Sequence, residues 1–400
     1  MTLKENDLCI FISSLKDVTS TTVKLERDIE EWLQVMFDST KVPILKKDED
    51  FPYSHEDFSE VPSKSAKHLK LLTELLEGLI EAVSRCKGSL SPRCVNNIAV
   101  QCTVLAAQYR SSSTEWGSVA AANNASKIFT ILFAGKEQNT TGLDLLESRE
   151  TSQSLRGAVI SQDCQKETGI CLGRFLKPIL QYLTNNFVKE LWKSNPGARE
   201  VYLWLLYMLP GSVLSEHLSY LLPGALMMLD DWEQRHKITA MEALDHVLQN
   251  VAGSELRCYG RASVIYEATK HSLYSREPDI LTVAYPVTVR AAAVVQADPS
   301  RAHTLQITAS EEVLSMLLRE MAYEQRLDLR RVFADSLAPA VTATGITAVR
   351  WTSELLEVIT NYLTTYDGDN ARDRINVLKA VEVLVAGCWC RVAIEAAPLL

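Results

Sequence analysis

Glycine and proline are scarce in this chain: 16 and 13 of 400 residues, both below their usual shares of about 7% and 5%. Few turns are specified, which disfavours a fold of many short strands and favours long helices. A cationic surplus is also missing. Lys and Arg number 41 against 50 Asp and Glu, giving a net charge of -9. Each neutralised phosphate takes a cation, so binding of nucleic acid or an anionic membrane by the whole surface is disfavoured. The nine cysteines contain no pair with the two-residue gap of a zinc ribbon or a redox motif. They read as buried, reduced thiols acting as small apolar residues. No uninterrupted apolar run approaches the ~20 residues of a membrane span. The opening MTLKENDLCIFISSL has neither the basic start nor the apolar length of a signal peptide. A reducing compartment, cytoplasm and nucleus, is expected, with no membrane partner. The sequons at Asn124 and Asn139 are then chance matches.

Catalytic signatures are absent too. There is no Gly-x4-Gly-Lys phosphate loop, no dinucleotide glycine fingerprint, no nucleophile elbow and no His-Glu-x-x-His helix. His236 and His246, ten residues apart on one helix, do not make a metal pair. No cofactor and no metal site are expected. Arg330 and Arg331 read as part of a solvated, mixed-charge helix face.

What is present is helical periodicity nearly everywhere. SAKHLKLLTELLEGLIEAVSRC sets Leu69, Leu72, Leu76, Leu79, Ile80 and Val83 on one stripe at spacings of three and four. SPRCVNNIAVQCTVLAAQY follows, with Ser91 as N-cap and Pro92 at the first helical position. The two read as a helical hairpin. Residues 41–64, with three prolines and many charges, and residues 135–157, polar and Gly-punctuated, read as flexible loops. The division expected is an amino-terminal helical region over 1–170 and a denser helical array over 171–400. There Asn195 caps a helix begun by Pro196. Paired helices follow over 213–229 and 234–251, 261–273 and 277–296, 310–326 and 328–343, and 347–366 and 371–388. The pairs recur at roughly 40–47 residues, the period of HEAT-type repeats. ILTVAYPVTVRAAAVV is rich in Val and Thr, but Pro286 and its helical neighbours favour a kinked helix over a lone strand. The fold class expected is all-α, an α-solenoid of HEAT-like helical hairpins wound as a right-handed superhelix.

One stretch shows the repeat unit in detail: LLPGALMMLDDWEQRHKITAMEALDHVLQNV, residues 221–251. Pro223 interrupts the first helix, as a proline does where a helix bends. Leu218, Leu222, Ala225, Leu226 and Leu229 supply its apolar stripe. Asp230 and Asp231 end it, and an aspartate before a helix caps the unpaired backbone N–H groups. Pro223, Asp231 and Lys237 keep the HEAT intervals of eight and six residues. The second helix buries Ile238, Met241, Leu244, Leu248 and Val251. Three repeat lengths on, YDGDNARDRINVLKAVEVLV places Asp367 opposite Asp230 and Arg374 opposite Lys237. Aspartates and cations in this frame can stack as a ladder of ion pairs, each contributing ~0–1 kcal/mol, so the ladder sets register more than stability. Trp232 is left open between packing on the next repeat and meeting a partner.

The order of elements after residue 220 resembles the Tel-two-interacting protein two family, the smaller Tti subunit of the TTT co-chaperone complex. The resemblance is carried by Leu229-Asp230-Asp231 with Glu233, then Lys237, Leu244 through His246, Leu248, Asn250 and Val251. Leu273-Tyr274 with Arg276-Glu277 follows, then the apolar helix with Pro286. It covers roughly residues 175–390, and the chain reads short for the family. The family implies a non-catalytic scaffold that joins Tel-two and the larger Tti subunit. That assembly works with the ninety-kilodalton heat-shock chaperone in maturing phosphatidylinositol-3-kinase-related kinases, which act in DNA-damage signalling and growth control. Trp232, Glu233, His246, Asn250, Tyr274 and Arg276 are the candidate partner contacts. Two other readings share the repeat physics: a transport or chromatin adaptor, and a helical-repeat enzyme acting on nucleic acid, which the acidic charge disfavours.

Overall fold

A computed structural model describes residues 5–18, 23–45, 52–86, 89–133, 175–189, 191–296, 307–368 and 370–396, the last seven as backbone. Among these, every regular element is helical. The chain divides into two compact units, Met1–Pro210 and Gly211–Leu400.

The first unit contains α1 (Glu5–Ser14), α2 (Val23–Thr40), α3 (Val61–Cys86), α4 (Pro92–Gln108), α5 (Val119–Phe133), α6 (Leu176–Asn186) and α7 (Pro196–Met208). The caps fall where the sequence places them: Ser91 Oγ accepts from Cys94 N–H and Asn195 Oδ1 from Ala198 N–H. The hairpin expected of α3 and α4 is not the main pairing. α3 packs chiefly on α5 and α2, and α4 on α2, α5 and α7. The reason is that α4 is apolar on most of its circumference, with Cys94, Val95, Ile98, Cys102 and Leu105 all buried. It therefore serves as a central helix, while α3 buries a single stripe. Ile80 lies at the edge of that stripe, half-buried.

The described parts of 41–64 are docked. Val42 and Phe58 are buried, Val42 N–H donates to Gln108 Oε1 at 2.9 Å, and α3 already begins at Val61. Residues 135–157 lie outside the described residues. Asn124 is engaged in the fold, donating to Ala66 O at 3.0 Å. The cysteines are less uniform than expected: Cys94, Cys102 and Cys388 are buried, but Cys9 and Cys258 are exposed. Burial pushes the Cys94 thiol up to about 12, and the charges of Glu26 and Glu30 act in the same direction.

The second unit is a run of helical pairs: α8 (Gly211–Leu229) with α9 (Gln234–Asn250), then the five-residue α10 (Gly253–Arg257), α11 (Arg261–His271) with α12 (Pro278–Gln296), α13 (Ala309–Tyr323) with α14 (Leu327–Thr344), and α15 (Thr352–Thr364) with α16 (Arg372–Ala396). The second helix of each pair packs on the second helix of the next, α9 on α12, α12 on α14 and α14 on α16. This is the stacked-hairpin arrangement of an α-solenoid. α12 explains the strand-like stretch. It contacts α9, α11, α13 and α14, so it is apolar on several faces, and Pro286 sits on its exposed side. The expected stripes of α8 and α9 are buried, with Leu226 and Ile238 at their half-buried edges. Gly211 starts α8 hard against the end of α9: a Cβ there would stand 2.0 Å from Asn250 O.

Pro223 lies inside α8 and is exposed. The other prolines inside helices of this unit, Pro286 and Pro339, fall in second helices. The proline bend is therefore not a repeated mark of the first helix.

Candidate partner-binding surface

The turns within the four pairs lie at one end of the stack and are joined directly. Gln234 Nε2 donates to Asp279 Oδ2 at 3.2 Å, linking the first turn to the start of α12. Arg276 reaches Glu320 at 2.8 Å and Glu324 at 3.4 Å, and Arg326 Nη1 donates to Arg276 O at 3.5 Å. Arg330 donates to Glu324 O and, from both terminal nitrogens, to Asn361 Oδ1 at 3.3 Å. Its guanidinium stands 3.8 Å over the centroid of the Tyr362 ring. Arg330 is thus buried, and only Arg331 keeps the solvated-face role expected of both. The sequence reading weighed the charge of the Arg330-Arg331 pair over its register: Phe333, Ala334 and Leu337, three, four and seven residues on, place Arg330 on the buried face of α14.

The two aspartates matched along the sequence are solved differently. Asp230 is exposed, and Asp231 is the buried member. Asp231 Oδ2 lies 2.5 Å from His236 Nδ1, and Glu233 Oε2 is 3.5 Å from the same nitrogen. Lys237, the expected cation of this frame, is the residue after that histidine. Three ligand atoms of this kind within 4.8 Å of one another can also hold a metal ion, but the hydrogen bond between the Asp231 carboxylate and the His236 imidazole already accounts for the closest contact. In the last pair the aspartate caps the backbone. Asp367 Oδ2 accepts from Asp373 N–H at 2.9 Å and Arg374 N–H at 3.1 Å, and Oδ1 accepts from Arg374 Nε at 2.9 Å. Burial pushes the Asp367 carboxyl up, but the Arg374 N–H, guanidinium and charge outweigh it and hold the group below its usual range. The charged links between pairs come mostly from other residues, such as Asp245 with Arg290 at 3.3 Å.

The candidate contacts do not form one patch. Trp232, Glu233, Tyr274 and Arg276 lie on the turn edge. His246 and Asn250 lie toward the far end of α9, about 20 Å away at the helical rise. Asn250 Nδ2 donates to His246 O at 2.8 Å. On the turn edge Trp232 is 51% exposed and Tyr274 67%. Two residues that the sequence reading passed over complete the row: Tyr323 at 84% and Tyr366 at 70%. The signal was legible. Trp232-Glu233-Gln234-Arg235 returns two repeats later as Tyr323-Glu324-Gln325-Arg326. Elsewhere, a groove of about 1040 Å³ opens between α14 and α16, lined by Asp335, Pro339, Arg372, Asn376 and Lys379. Arg372 already bridges Asp335 there at 2.6 Å.

Comparison with known proteins connects this run of helical pairs to one family. The Tti2 family model matches residues 159–368, a little over half of the chain. The chain belongs to the Tti2 family. Among relatives, TELO2-interacting protein 2 of Homo sapiens is 32% identical over 231 residues, 56% of this chain and 45% of that protein. TELO2-interacting protein 2 of Rattus norvegicus is 28% identical over 358 residues, 86% of this chain and 64% of that protein. The chain therefore spans about half to two thirds of the length of these relatives. By structure, a chain of the Kap95p–RanGDP complex superposes with a TM-score of 0.50 at 10% identity, over 97% of this chain and 42% of that chain. This likeness shows the fold alone. The family match takes in α8 to α14 whole and α15 with the turn to Gly368, so Trp232, Tyr274, Tyr323 and Tyr366 all lie within it.

Proposed function

We propose that the chain acts as a non-catalytic scaffold subunit of the TTT complex, binding Tel-two and the larger Tti subunit. Through them it supports the chaperone-dependent maturation of phosphatidylinositol-3-kinase-related kinases in the cytoplasm and nucleus. The observation that carries the reading is the Tti2 family match across the stacked pairs of the second unit. The surface chemistry agrees with it. The exposed side chains that recur along the turn edge are aromatic, a residue type enriched at protein interfaces. Extended edges of stacked hairpins suit a joining role, because each pair adds surface without altering its neighbours.

The test is affinity purification of the full chain from native cells with identification of bound proteins. Recovery of a Tel-two protein and a larger Tti subunit is expected, together with chaperone components. Recovery of nuclear-transport cargo or chromatin factors in their place would overturn the reading.

A further inference from the structure

α16 is apolar on two opposite faces. The inner face, with Val377, Ala380, Leu384 and Cys388, is buried against α14 and α15. On the outer face Ile375 is 50% exposed, Leu378 48% and Val385 43%, with Ala386 open beside them. Spacings of three and seven keep these residues on one side of the helix. Trp389, 66% exposed, follows a kink at Cys388.

In the rest of the unit such a face is covered. The outer side of α9 meets α12, that of α12 meets α14, and that of α14 meets α16. No described residue packs on the outer side of α16. Three large aliphatic side chains and an indole in succession reach the few hundred Å² of contiguous apolar surface that monomeric soluble proteins rarely exceed.

The charges within the stripe select what covers it. Lys379 and Glu382 are both exposed, and neither belongs to an ion pair among the described residues. Lys379 Nζ donates only to the neutral Asn376 Oδ1, at 2.8 Å. The two charges lie about 2 Å along the axis on either side of the midpoint between Ala380 and Val381. A second α16 laid antiparallel across that midpoint sets Lys379 of each copy level with Glu382 of the other, so one two-fold axis makes both ion pairs. The same placement sets Ile375 level with the small Ala386, as close packing of helices about 8–10 Å apart requires. A parallel copy would set Lys379 against Lys379 and Glu382 against Glu382, which repel.

We propose that the chain forms a two-fold homodimer through the outer face of α16, the two helices antiparallel and Lys379 of each copy paired with Glu382 of the other. The inference is independent of the scaffold reading.

The test is sedimentation velocity of the full 400-residue chain over about 1–100 μM, the span in which an interface of modest size dissociates. A concentration-dependent shift from monomer to dimer mass is expected. L378E/V385E should be monomeric throughout, with its circular dichroism and thermal transition kept, because both side chains are about half exposed. Charge reversal reads the register. K379E and E382K each set like charges across the axis twice, and each should weaken dimerisation by about tenfold or more. An equimolar mixture of the two variants should regain the dimer, and so should K379E/E382K, since each restores both pairs. A parent chain that stays monomeric over this range would overturn the proposal, as would a dimer unaffected by L378E/V385E. Failure of both the mixture and K379E/E382K to regain the dimer would overturn the antiparallel register. A monomeric parent whose L378E/V385E variant no longer recovers a protein bound by the parent would overturn the second copy as occupant and give the face to that protein. Recovery of Tel-two and Tti proteins by the parent reports separately on the scaffold reading.

Discussion

Replacing Asp367 with alanine removes the side chain that organises the start of α16. Its side chain is 4% exposed and accepts three hydrogen bonds, two from the backbone N–H groups of Asp373 and Arg374 and one from Arg374 Nε. Loss of a capping carboxylate costs about 1 kcal/mol, up to about 2. The Arg374 pair, partly open to solvent, adds no more than about 1 kcal/mol. The expected loss is about 1–3 kcal/mol, or roughly 2–12 °C in Tm for a unit of this size, at 2–4 °C per kcal/mol. Asp367→Asn keeps an acceptor oxygen and loses the charge, so about half that effect is expected.

Asp373, six residues on, supplies the internal control. It is 1% exposed, and neither carboxylate oxygen has a hydrogen-bond partner among the described residues. Burial and then the charge of Asp367 push its carboxyl above the usual range. A buried acceptor without a partner is itself a cost, so Asp373→Asn should leave stability equal or raise it. The two aspartates respond to pH with opposite sign. Asp367, depressed in the fold, contributes stability above its unfolded value of about 3.9 that is lost as pH falls through that value and on through the folded one. Asp373, raised in the fold, gives its greatest stability below about 3.9 and loses it as pH rises through the folded value. Urea unfolding of the full chain followed by circular dichroism, at neutral pH and stepwise down to about pH 3, measures all of this. An Asp367→Ala variant within about 0.5 kcal/mol of the parent would refute the capping account, since it would lie outside the range measured for caps. So would an Asp373→Asn variant as unstable as Asp367→Asn.

Two further outcomes follow from the same packing. Gly211→Ala places a methyl group 2.0 Å from Asn250 O, so the start of α8 and the end of α9 must separate; a loss of about 1–3 kcal/mol is expected in the same unfolding assay. Arg330→Lys keeps the charge but loses the planar fork that spans Glu324 O, Asn361 Oδ1 and the Tyr362 ring. A loss of about 1–3 kcal/mol is expected, and an unchanged denaturation midpoint would show that the charge alone suffices.

The sequence by itself determined the helical pairs of the second unit. Apolar residues at spacings of three and four, with breaks such as Asp230-Asp231, are local signals, and an amphipathic helix displays them before it meets its neighbours. The same locality made the family legible, since the order Leu229-Asp230-Asp231 to Arg276-Glu277 lies along the chain. Tertiary structure decided what each helix packs against. It made α4 a central helix, turned Arg330 onto Tyr362, and gave Asp231 a histidine where Asp367 has backbone amides and an arginine. These outcomes depend on which residues of distant segments arrive at one point, and a helical period does not carry that information. The turn edge lies between the two cases. Each aromatic residue was visible alone, and the recurrence of Trp-Glu-Gln-Arg as Tyr-Glu-Gln-Arg was on the page. That Trp232, Tyr274, Tyr323 and Tyr366 form one row, with His246 and Asn250 excluded, follows only from stacking. Stacking brings residues roughly 45 apart to adjacent turns, while the length of a single helix carries residues fourteen apart to opposite ends of the stack.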